Sequence, residues 1–311
     1  MTAPLVSIVV PTLNGAATLP ALFGAIETQR VSFTFEVVVV DSQSSDGTAE
    51  FVRSRAASFV SIDRAGFDHG LARNIGIEHS KGELIVLMVQ DALPVSETWL
   101  AELTRPLFAD EQLAAAYARQ LPRADASAIT RHYLERWSAA SAAPRIQSIP
   151  SRASFDALDP GGRFELCVFD NVCSCIRRSV WNEHPFRATP IAEDVEWARE
   201  VLLAGYRIVY APEARVVHSH ERSSRYELAR TYVLHRRLYD LFGLRTIPTV
   251  GSLARAIVSS LAIHARCSIR DRSRPRVVGR SLALAFAWPV GQYLGALSAM
   301  RGWKRSRSKI V

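Results

Sequence analysis

Two nearly unbroken runs of apolar residues stand near the start of the chain, at residues 5–10 and 35–40. Strands that are buried on both faces of a parallel sheet have this continuous apolar character, whereas half-exposed strands alternate. Residues 16–28, between the two runs, repeat their apolar side chains at helical spacing. The pattern predicts a β-α-β unit, with the right-handed crossover that is the rule for such units.

The same alternation continues along the chain. Further strands are predicted where short apolar runs recur, at residues 59–62, 83–89, 113–118 and 171–176, and as a pair at 206–210 and 214–218. Helical spacing separates them, at residues 48–57, 71–79, 96–108 and 192–204. Strands that alternate with helices predict the α/β class and an open, doubly wound sheet. Residues 144–165 are rich in Pro, Gly and Ser without a period, which predicts a mobile loop.

The charge is divided unevenly along the 311 residues, although the net value is only +8. Residues 222–311 carry 18 Lys and Arg against three Asp and Glu, a net charge of +15, whereas the preceding residues carry −7. A basic segment of this kind favours an anionic partner, either a nucleic acid or a membrane surface.

Apolar content decides between these two partners. Residues 281–300 contain no charged side chain and have the length of a bilayer span, but Pro289, Gly291 and Gln292 interrupt the run. A helix in the membrane interface, or a helical hairpin dipping into it, is at least as consistent with this composition. Residues 254–265 form a second amphipathic candidate. Basic residues interleaved with apolar faces favour an anionic membrane surface and argue against nucleic acid.

The cysteines and the first residues bear on the cellular compartment. Cys167, Cys173, Cys175 and Cys267 form no CxxC pair and no zinc-like cluster, so we expect reduced and mostly buried thiols. The opening residues MTAPLVSIVVP lack the basic region and the cleavage site of a signal peptide. We therefore expect the protein to face the cytoplasm.

Polar residues follow three of the predicted strands, as PTLN at 11–14, DSQSSDG at 41–47 and QDA at 90–92. Ligands of open α/β sheets bind beyond the carboxyl ends of the strands. The first of these ends lacks GxGxxG, which weakens a dinucleotide-dependent oxidoreductase hypothesis. Carboxylates at two strand ends suit a nucleoside and a metal-bridged diphosphate, although ordinary caps and turns use the same residue types.

Taken together, VSIVVPTLN, VVVVDSQSSDGT, HGLARN and IVLMVQDA resemble the donor half of glycosyltransferase family 2. Six further motifs resemble bacterial rhamnosyltransferases of that family, namely FDHGLARN, QDALP, AYARQLPR, DNVCSCIRRSVW, EDVEWAREVLLAGYRIVY and VVHSH. The resemblance covers nearly all of the first 220 residues. It implies the GT-A fold, a Rossmann-like, doubly wound mixed sheet, over residues 1–222. Residues 1–120 would form the nucleotide-sugar half, 121–222 the acceptor half, and 223–311 a basic helical membrane-associating region.

The resemblance also implies roles for individual donor-side residues. It places six residues around the nucleoside, with Asp41 accepting a hydrogen bond from the base ring: Pro11, Thr12, Asn14, Asp41, Ser42 and Ser44. It places Gly70, Arg73 and Asn74 near the base and the diphosphate, and it counts Gln90 and Asp91 among the donor-binding residues. For Arg73 the alternative is a solvated position on a helix surface.

A divalent cation, Mg²⁺ or Mn²⁺, is expected from the position of Asp91, which stands where the family has an Asp-x-Asp motif. Such a cation neutralises the charge that builds on the leaving diphosphate. This chain departs from the motif, because Ala92 replaces the second carboxylate. His218 is the additional ligand that the resemblance favours. His218 and His220 would lie on one face of a predicted strand, where a purely structural pair is the alternative.

The acceptor side is represented by Glu193 and Asp194, at the start of a predicted helix. In the family, the Asp of this pair is the general base that takes the proton of the acceptor hydroxyl, so the resemblance assigns that role to Asp194. Glu193 would help to orient the acceptor. As an alternative, both residues are favourable acids in the first turn of a helix.

The resulting hypothesis is an inverting glycosyltransferase at the cytoplasmic face of the inner membrane. It would move L-rhamnose from dTDP-rhamnose to a lipid-linked or polysaccharide acceptor. One alternative is an enzyme of the same fold that uses a UDP-hexose. Another is a catalytically silent, membrane-bound subunit of a polysaccharide assembly complex, which the replacement of a carboxylate by Ala92 suggests.

Overall fold

A computed structural model describes residues 5–55, 58–271 and 275–302. The chain divides into two compact units. Unit 1 comprises Met1–Arg123, Arg136–Phe155 and Cys167–His218, and unit 2 comprises Ala124–Glu135, Asp156–Leu166 and Ser219–Val311. The boundary after residue 222, and the halves on either side of residue 120, remain predictions about independently folding domains.

Unit 1 is built on one mixed sheet. Its strands are β1 (Val6–Thr12), β2 (Phe35–Asp41), β3 (Ser58–Ser61), β4 (Leu84–Met88), β5 (Leu93–Pro94), β6 (Leu113–Leu121), β7 (Arg145–Gln147), β8 (Cys173–Arg177) and β9 (Arg207–Val217). The strand order is β3-β2-β1-β4-β8-β6-β9-β5, and β7 pairs with β9. β1 is parallel to both β2 and β4, whereas β8 runs antiparallel between β4 and β6. The doubly wound mixed sheet expected from the sequence is confirmed.

The helices that belong to unit 1 are α1 (Leu19–Glu27), α2 (Thr48–Ser54), α3 (His69–Glu78), α4 (Trp99–Ala109), α8 (Arg178–Glu183) and α9 (Glu193–Leu203). Val6, Ile8 and Val10 of β1 pack in the cluster that contains the apolar residues of α1 and α4. Val9 points to the opposite face, where it lies against Gly76 of α3. Successive strand residues face opposite sides. Helices on both sides of the sheet therefore explain why these strands are apolar without interruption.

Two sequence-based expectations are wrong. The expected strand pair is a single strand, β9, whose register on β6 jumps between Ala211 and Arg215, so that Pro212 falls in the irregularity. Proline and extra residues are tolerated at such bulges. The expected mobile loop at 144–165 contains β7, α6 (Arg152–Asp156) and α7 (Pro160–Leu166). β7 is too short, at three residues, to show a period in the sequence. Its pairing with β9 decides its conformation.

Unit 2 is helical. It contains α5 (Ala128–Leu134), α7, α10 (Ser224–Phe242), α11 (Val250–Arg270) and α12 (Pro275–Met300). α12 packs against α10 and α11 and remains one helix through Pro289, so no hairpin forms within it. Val277–Met300 is long and apolar enough to cross a membrane by length and composition, but 44% of its most apolar window is buried in the protein. The cysteines are free thiols, and all but Cys267 are buried, as expected.

Candidate active site

The carboxyl ends of β1 and β2 hold the residues that were expected around a nucleoside. Asp41 is buried, and its Oδ1 accepts hydrogen bonds from the hydroxyls of Thr12 at 3.0 Å and Ser44 at 2.5 Å. Its Oδ2 accepts from the backbone N–H of Ser44 at 2.9 Å. The hydroxyl of Ser44 accepts from the backbone N–H of Asn14 at 2.8 Å. Parallel pairing of the two strands, with Pro11 opposite Val40, therefore brings both polar segments to one edge.

Backbone strain accumulates at these same loops. Among the residues that the structure describes, the positive-φ positions other than glycine are Asn14, Gln43 and Ala192, at φ 49°, 57° and 62°. Such conformations cost about 1–3 kcal/mol each and concentrate at ligand sites. Asn14 and Gln43 follow β1 and β2, and Ala192 immediately precedes the Glu193-Asp194 pair. The strain therefore marks both ends of the candidate site.

Gln90 fixes the loop after β1. Its side-chain oxygen accepts from the backbone N–H of Leu13 at 2.9 Å, and its side-chain nitrogen donates to the carbonyl of Leu13 at 3.1 Å. The amide is thus used twice within the protein. A role for Gln90 in donor binding stays a prediction, and these two bonds show how it holds the strand end that carries Asn14.

Asn74 and Gly70 of α3 hold a neighbouring segment. The amide of Asn74 donates to the carbonyl of Phe186 at 2.8 Å and accepts from the Trp181 indole at 2.8 Å and the Phe186 N–H at 3.1 Å. A Cβ atom on Gly70 would lie 2.6 Å from the carbonyl oxygen of Arg187, so only glycine permits this approach. Contact of either residue with the donor stays a prediction.

Arg73 lies inside the protein, so the alternative of a solvated helix surface is wrong. Its side chain is 5% exposed and pairs with Glu193 at 2.5 Å, and it also donates to the carbonyl of His69 at 3.2 Å. A buried charge requires such a partner, and removing one member of a buried pair costs about 3–5 kcal/mol. The ion pair ties α3, on the donor side, to the start of α9, on the acceptor side.

Three buried polar atoms at the site have no hydrogen-bond partner within the described part of the chain: Ser42 Oγ, Arg73 Nε and Asn171 Nδ2. Buried polar groups are nearly always paired, so each exception calls for an explanation. Atoms of this kind also occur away from the site, for example Arg199 Nε and Arg207 Nε, so they do not by themselves indicate a ligand.

Asp91 and His218 come together just beyond the ends of β4 and β9, so His218 follows its strand and does not lie on it as expected. His218 Nε2 lies 3.8 Å from Asp91 Oδ1, and each residue offers one metal-ligand atom. Two ligands on one cation, each at about 2.1 Å, can be this far apart. His218 Nδ1 lies 3.1 Å from Gln120 Oε1, and the amide nitrogen of Gln120 donates to Asp170. Since the oxygen of Gln120 only accepts, Nδ1 carries the proton, and Nε2 keeps the lone pair that a cation requires.

Asp194 stands at the start of α9 with an altered proton affinity. Burial, and then the negative charges of Glu193 and Asp170, raise its pKa to about 8, against the opposing effect of Arg73 and of the Val195 N–H. The carboxylate accepts from the backbone N–H groups of Val195 at 2.8 Å and Asn171 at 3.4 Å. A general base is most effective when its pKa is close to the working pH. Asp194 therefore has the proton affinity of a base at neutral to mildly alkaline pH.

Gln120 and Asp170 are site residues that sequence reasoning did not single out. Gln120 lies on β6 and bridges His218 and Asp170. Asp170 precedes β8 and its Oδ1 also accepts from the N–H of Val172 at 2.8 Å. Each residue lies in a motif that entered the resemblance without a role for it, Gln120 in AYARQLPR and Asp170 in DNVCSC.

Comparison with known proteins agrees with this geometry. Residues 7–183 match the family described as Glycosyl transferase family 2. The O-antigen chain rhamnosyltransferase RfbN of Salmonella typhimurium is 29% identical over 233 residues, which are 73% of this chain and 70% of that protein. The O-antigen chain rhamnosyltransferase WbaN of Salmonella anatum is 29% identical over 237 residues, which are 74% of this chain and 70% of that protein.

Two solved structures resemble the fold. The mannosyltransferase PcManGT from Pyrobaculum calidifontis, in complex with GDP-Man and Mn²⁺, has a TM-score of 0.50 and 20% identity, covering 98% of this chain and 77% of that chain. Glucosyl-3-phosphoglycerate synthase from Mycobacterium tuberculosis, with Mn²⁺ and UDP-Glc, has a TM-score of 0.54 and 18% identity, covering 80% and 81%. Identities this low establish the fold alone.

The mixed sheet and these neighbours show the GT-A fold, and the family match together with the Salmonella relatives shows a glycosyltransferase. The chain belongs to glycosyl transferase family 2, whose match covers more than half of its length. Its resemblance to bacterial rhamnosyltransferases, stated above from six motifs, is confirmed by the two Salmonella relatives.

Proposed function

We propose that this enzyme transfers L-rhamnose from dTDP-rhamnose, with inversion of the anomeric centre, to a lipid-linked or polysaccharide acceptor at the cytoplasmic face of the membrane. The observation that carries the proposal is the likeness to two O-antigen chain rhamnosyltransferases over nearly three quarters of the chain. The likeness supports the class of sugar because both relatives are rhamnosyltransferases.

The chemistry assigns one task to each side of the site. On the acceptor side, Asp194 accepts the proton of the attacking hydroxyl, whose oxygen forms a bond to the anomeric carbon opposite the departing diphosphate. Proton removal by a positioned base contributes about 10²–10⁴ to the rate. On the donor side, Thr12, Asp41 and Ser44 hold the nucleoside. Asp91 and His218 would hold a divalent cation, which would supply the positive charge that favours the leaving diphosphate.

The ligand set is compatible with two cations. A single carboxylate and an imidazole form a sparse site, which Mg²⁺ or Mn²⁺ completes with water and phosphate oxygens. Both solved neighbours described above contain Mn²⁺. We therefore choose Mn²⁺ for the first assays and Mg²⁺ for comparison.

A donor screen tests the proposal. Purified protein, Mn²⁺ and an extract of lipid-linked acceptors are incubated separately with dTDP-rhamnose, UDP-glucose, UDP-N-acetylglucosamine and GDP-mannose, and release of the nucleoside diphosphate is measured. We expect dTDP-rhamnose to be used preferentially, and the Asp194→Asn variant to release little from any donor. Preferential use of a UDP-hexose would refute dTDP-rhamnose as the donor and support the alternative that the sequence left open.

A further inference from the structure

We propose that the outer face of α11 is the surface with which this enzyme contacts an anionic lipid bilayer, the helix lying in the headgroup region parallel to the membrane. The proposal rests on the membrane location given in the proposed function and specifies it. It assigns the contact to α11 and not to the more apolar helix α12, which composition alone favours.

α11 exposes apolar side chains on the side opposite its buried residues. The residues of α11 that are buried are Ser260, His264 and Ser268, whereas Val258 and Ile269 are 67% and 77% exposed. A surface helix of a soluble domain buries its apolar stripe and exposes its polar one. The outer face of α11 is therefore matched to surroundings less polar than water.

Hydrogen bonding and ring packing fix this orientation of α11. The imidazole Nδ1 of His264 lies 2.9 Å from the hydroxyl of Ser281 on α12. The same ring packs against Tyr133 of α5 and Trp288 of α12, with ring centroids 5.8 and 5.4 Å away. These neighbours hold His264 and its side of α11 inside unit 2, so Val258 and Ile269, on the opposite side of the helix, point away from that interior.

Part of the apolar surface of α12 is buried within unit 2. Leu284, Ala285 and Ala296 are buried, and small residues let its backbone approach that of α10 closely. A Cβ atom on Gly291 would lie 2.9 Å from the carbonyl oxygen of Leu228. A larger residue at this position would therefore displace one of the two helices. Close helix packing thus explains the small residues of α12, whereas larger apolar residues such as Phe286 and Leu294 remain exposed.

Charge identifies the partner of the outer face of α11. Arg255, Arg266 and Arg270 are exposed, and α11 contains no Asp or Glu. At 100° per residue, Arg255 and Arg266 lie within about 80° of Val258 and Ile269 around the helix axis. Apolar side chains flanked by arginines match an interface with an apolar interior and anionic headgroups. A groove for RNA would instead expose stacking aromatics, and α11 contains none.

The test is co-sedimentation of the full-length protein with vesicles of equal parts phosphatidylglycerol and phosphatidylcholine, at about 0.15 M salt. The double variant Val258→Ser/Ile269→Ser should bind at least about tenfold more weakly. The triple variant Arg255→Gln/Arg266→Gln/Arg270→Gln should lose on the order of a hundredfold, since each arginine near an anionic surface is worth roughly a factor of five. Vesicles of phosphatidylcholine alone should bind the parent weakly.

Two control variants are matched to these substitutions. Phe286→Ser/Leu294→Ser removes exposed apolar residues of α12, and Arg53→Gln/Arg64→Gln/Arg105→Gln removes the same charge from unit 1. Both should bind vesicles as the parent does. All the substituted residues are exposed, and melting curves confirm that each variant folds.

Parent-like vesicle binding by the α11 double variant, or loss of vesicle binding in the α12 control, would overturn the assignment. So would a parent protein that does not bind vesicles but forms concentration-dependent dimers, if Val258→Ser/Ile269→Ser dissociates those dimers. Donor turnover is measured on the same preparations. Failure of vesicle binding with turnover intact rejects only the membrane surface, whereas loss of rhamnose transfer with binding intact rejects the proposed function.

Discussion

Replacing Asp194 by Asn should make the protein more stable at alkaline pH while abolishing transfer. Burial beside Glu193 and Asp170 raises the pKa of this carboxyl from an ordinary 3.8 to about 8. A raised pKa means that the folded state binds the proton more tightly than the unfolded state does. The contribution of Asp194 to stability is therefore complete below about pH 4 and is lost as the pH rises through 8.

The size of the effect follows from the shift in pKa. Each unit is worth about 1.4 kcal/mol, so the loss between pH 5 and pH 8 is at most about 4 kcal/mol. Neighbouring carboxylates share the titration, and solvent reaches part of the side chain, so we expect about 2 kcal/mol. Asparagine resembles the protonated acid and does not ionise. The advantage of the variant should thus grow with pH, to about 4 °C or more in Tm at pH 8.5.

The assay is thermal unfolding of the parent and of Asp194→Asn from pH 5 to 8.5, with Glu213→Gln as a matched control at an exposed acid. Transfer should fall by about 10²–10⁴ in the Asp194 variant, while donor affinity stays within a few-fold, because the base acts on the acceptor proton. If the Tm values of parent and variant stay a constant interval apart across this pH range, Asp194 does not have a raised pKa, and the reasoning fails.

Three further predictions concern the same site. Glu193→Gln removes a negative charge beside Asp194, so the acid limb of the kcat/KM profile should move to lower pH. An unchanged limb would show that the charge of Glu193 does not affect the pKa of the catalytic base. Gln120→Leu frees the imidazole of His218, and calorimetry should show Mn²⁺ binding about 10–100-fold weaker, against an unchanged affinity if Gln120 only packs. Asp91→Ala should lose the Mn²⁺-dependent part of nucleotide affinity; equal affinity of the parent in Mn²⁺ and in EDTA would argue against the cation.

Local sequence was sufficient for those parts of the fold that local physics decides. The apolar runs that became β1, β2 and β4 are buried on both faces, and burial of that kind leaves an unmistakable composition. Thr12, Asp41 and Ser44 were predictable as neighbours because they stand at the ends of adjacent parallel strands. Asp194 was predictable from the family motif, but the cause of its raised pKa was not.

Long-range pairing explains what the sequence could not show. Gln120 meets His218 because β6 and β9 run parallel, and it meets Asp170 because β8 runs antiparallel beside β6. No local period encodes either neighbour. Arg73 looks from its sequence context like a surface residue, and only the packing of α3 near the start of α9 buries it against Glu193. The bulge at Pro212 likewise depends on the register of β6.

The stereochemistry of the product tests the central claim most directly. The enzyme is incubated with dTDP-rhamnose, Mn²⁺ and a lipid-linked acceptor, and the anomeric configuration of the transferred sugar is determined by NMR and compared with that of the donor. A single displacement assisted by Asp194 predicts rhamnose in the opposite configuration, formed by the parent and not by Asp194→Asn. Rhamnose transferred with retained configuration, or transferred equally well by Asp194→Asn, would contradict the account.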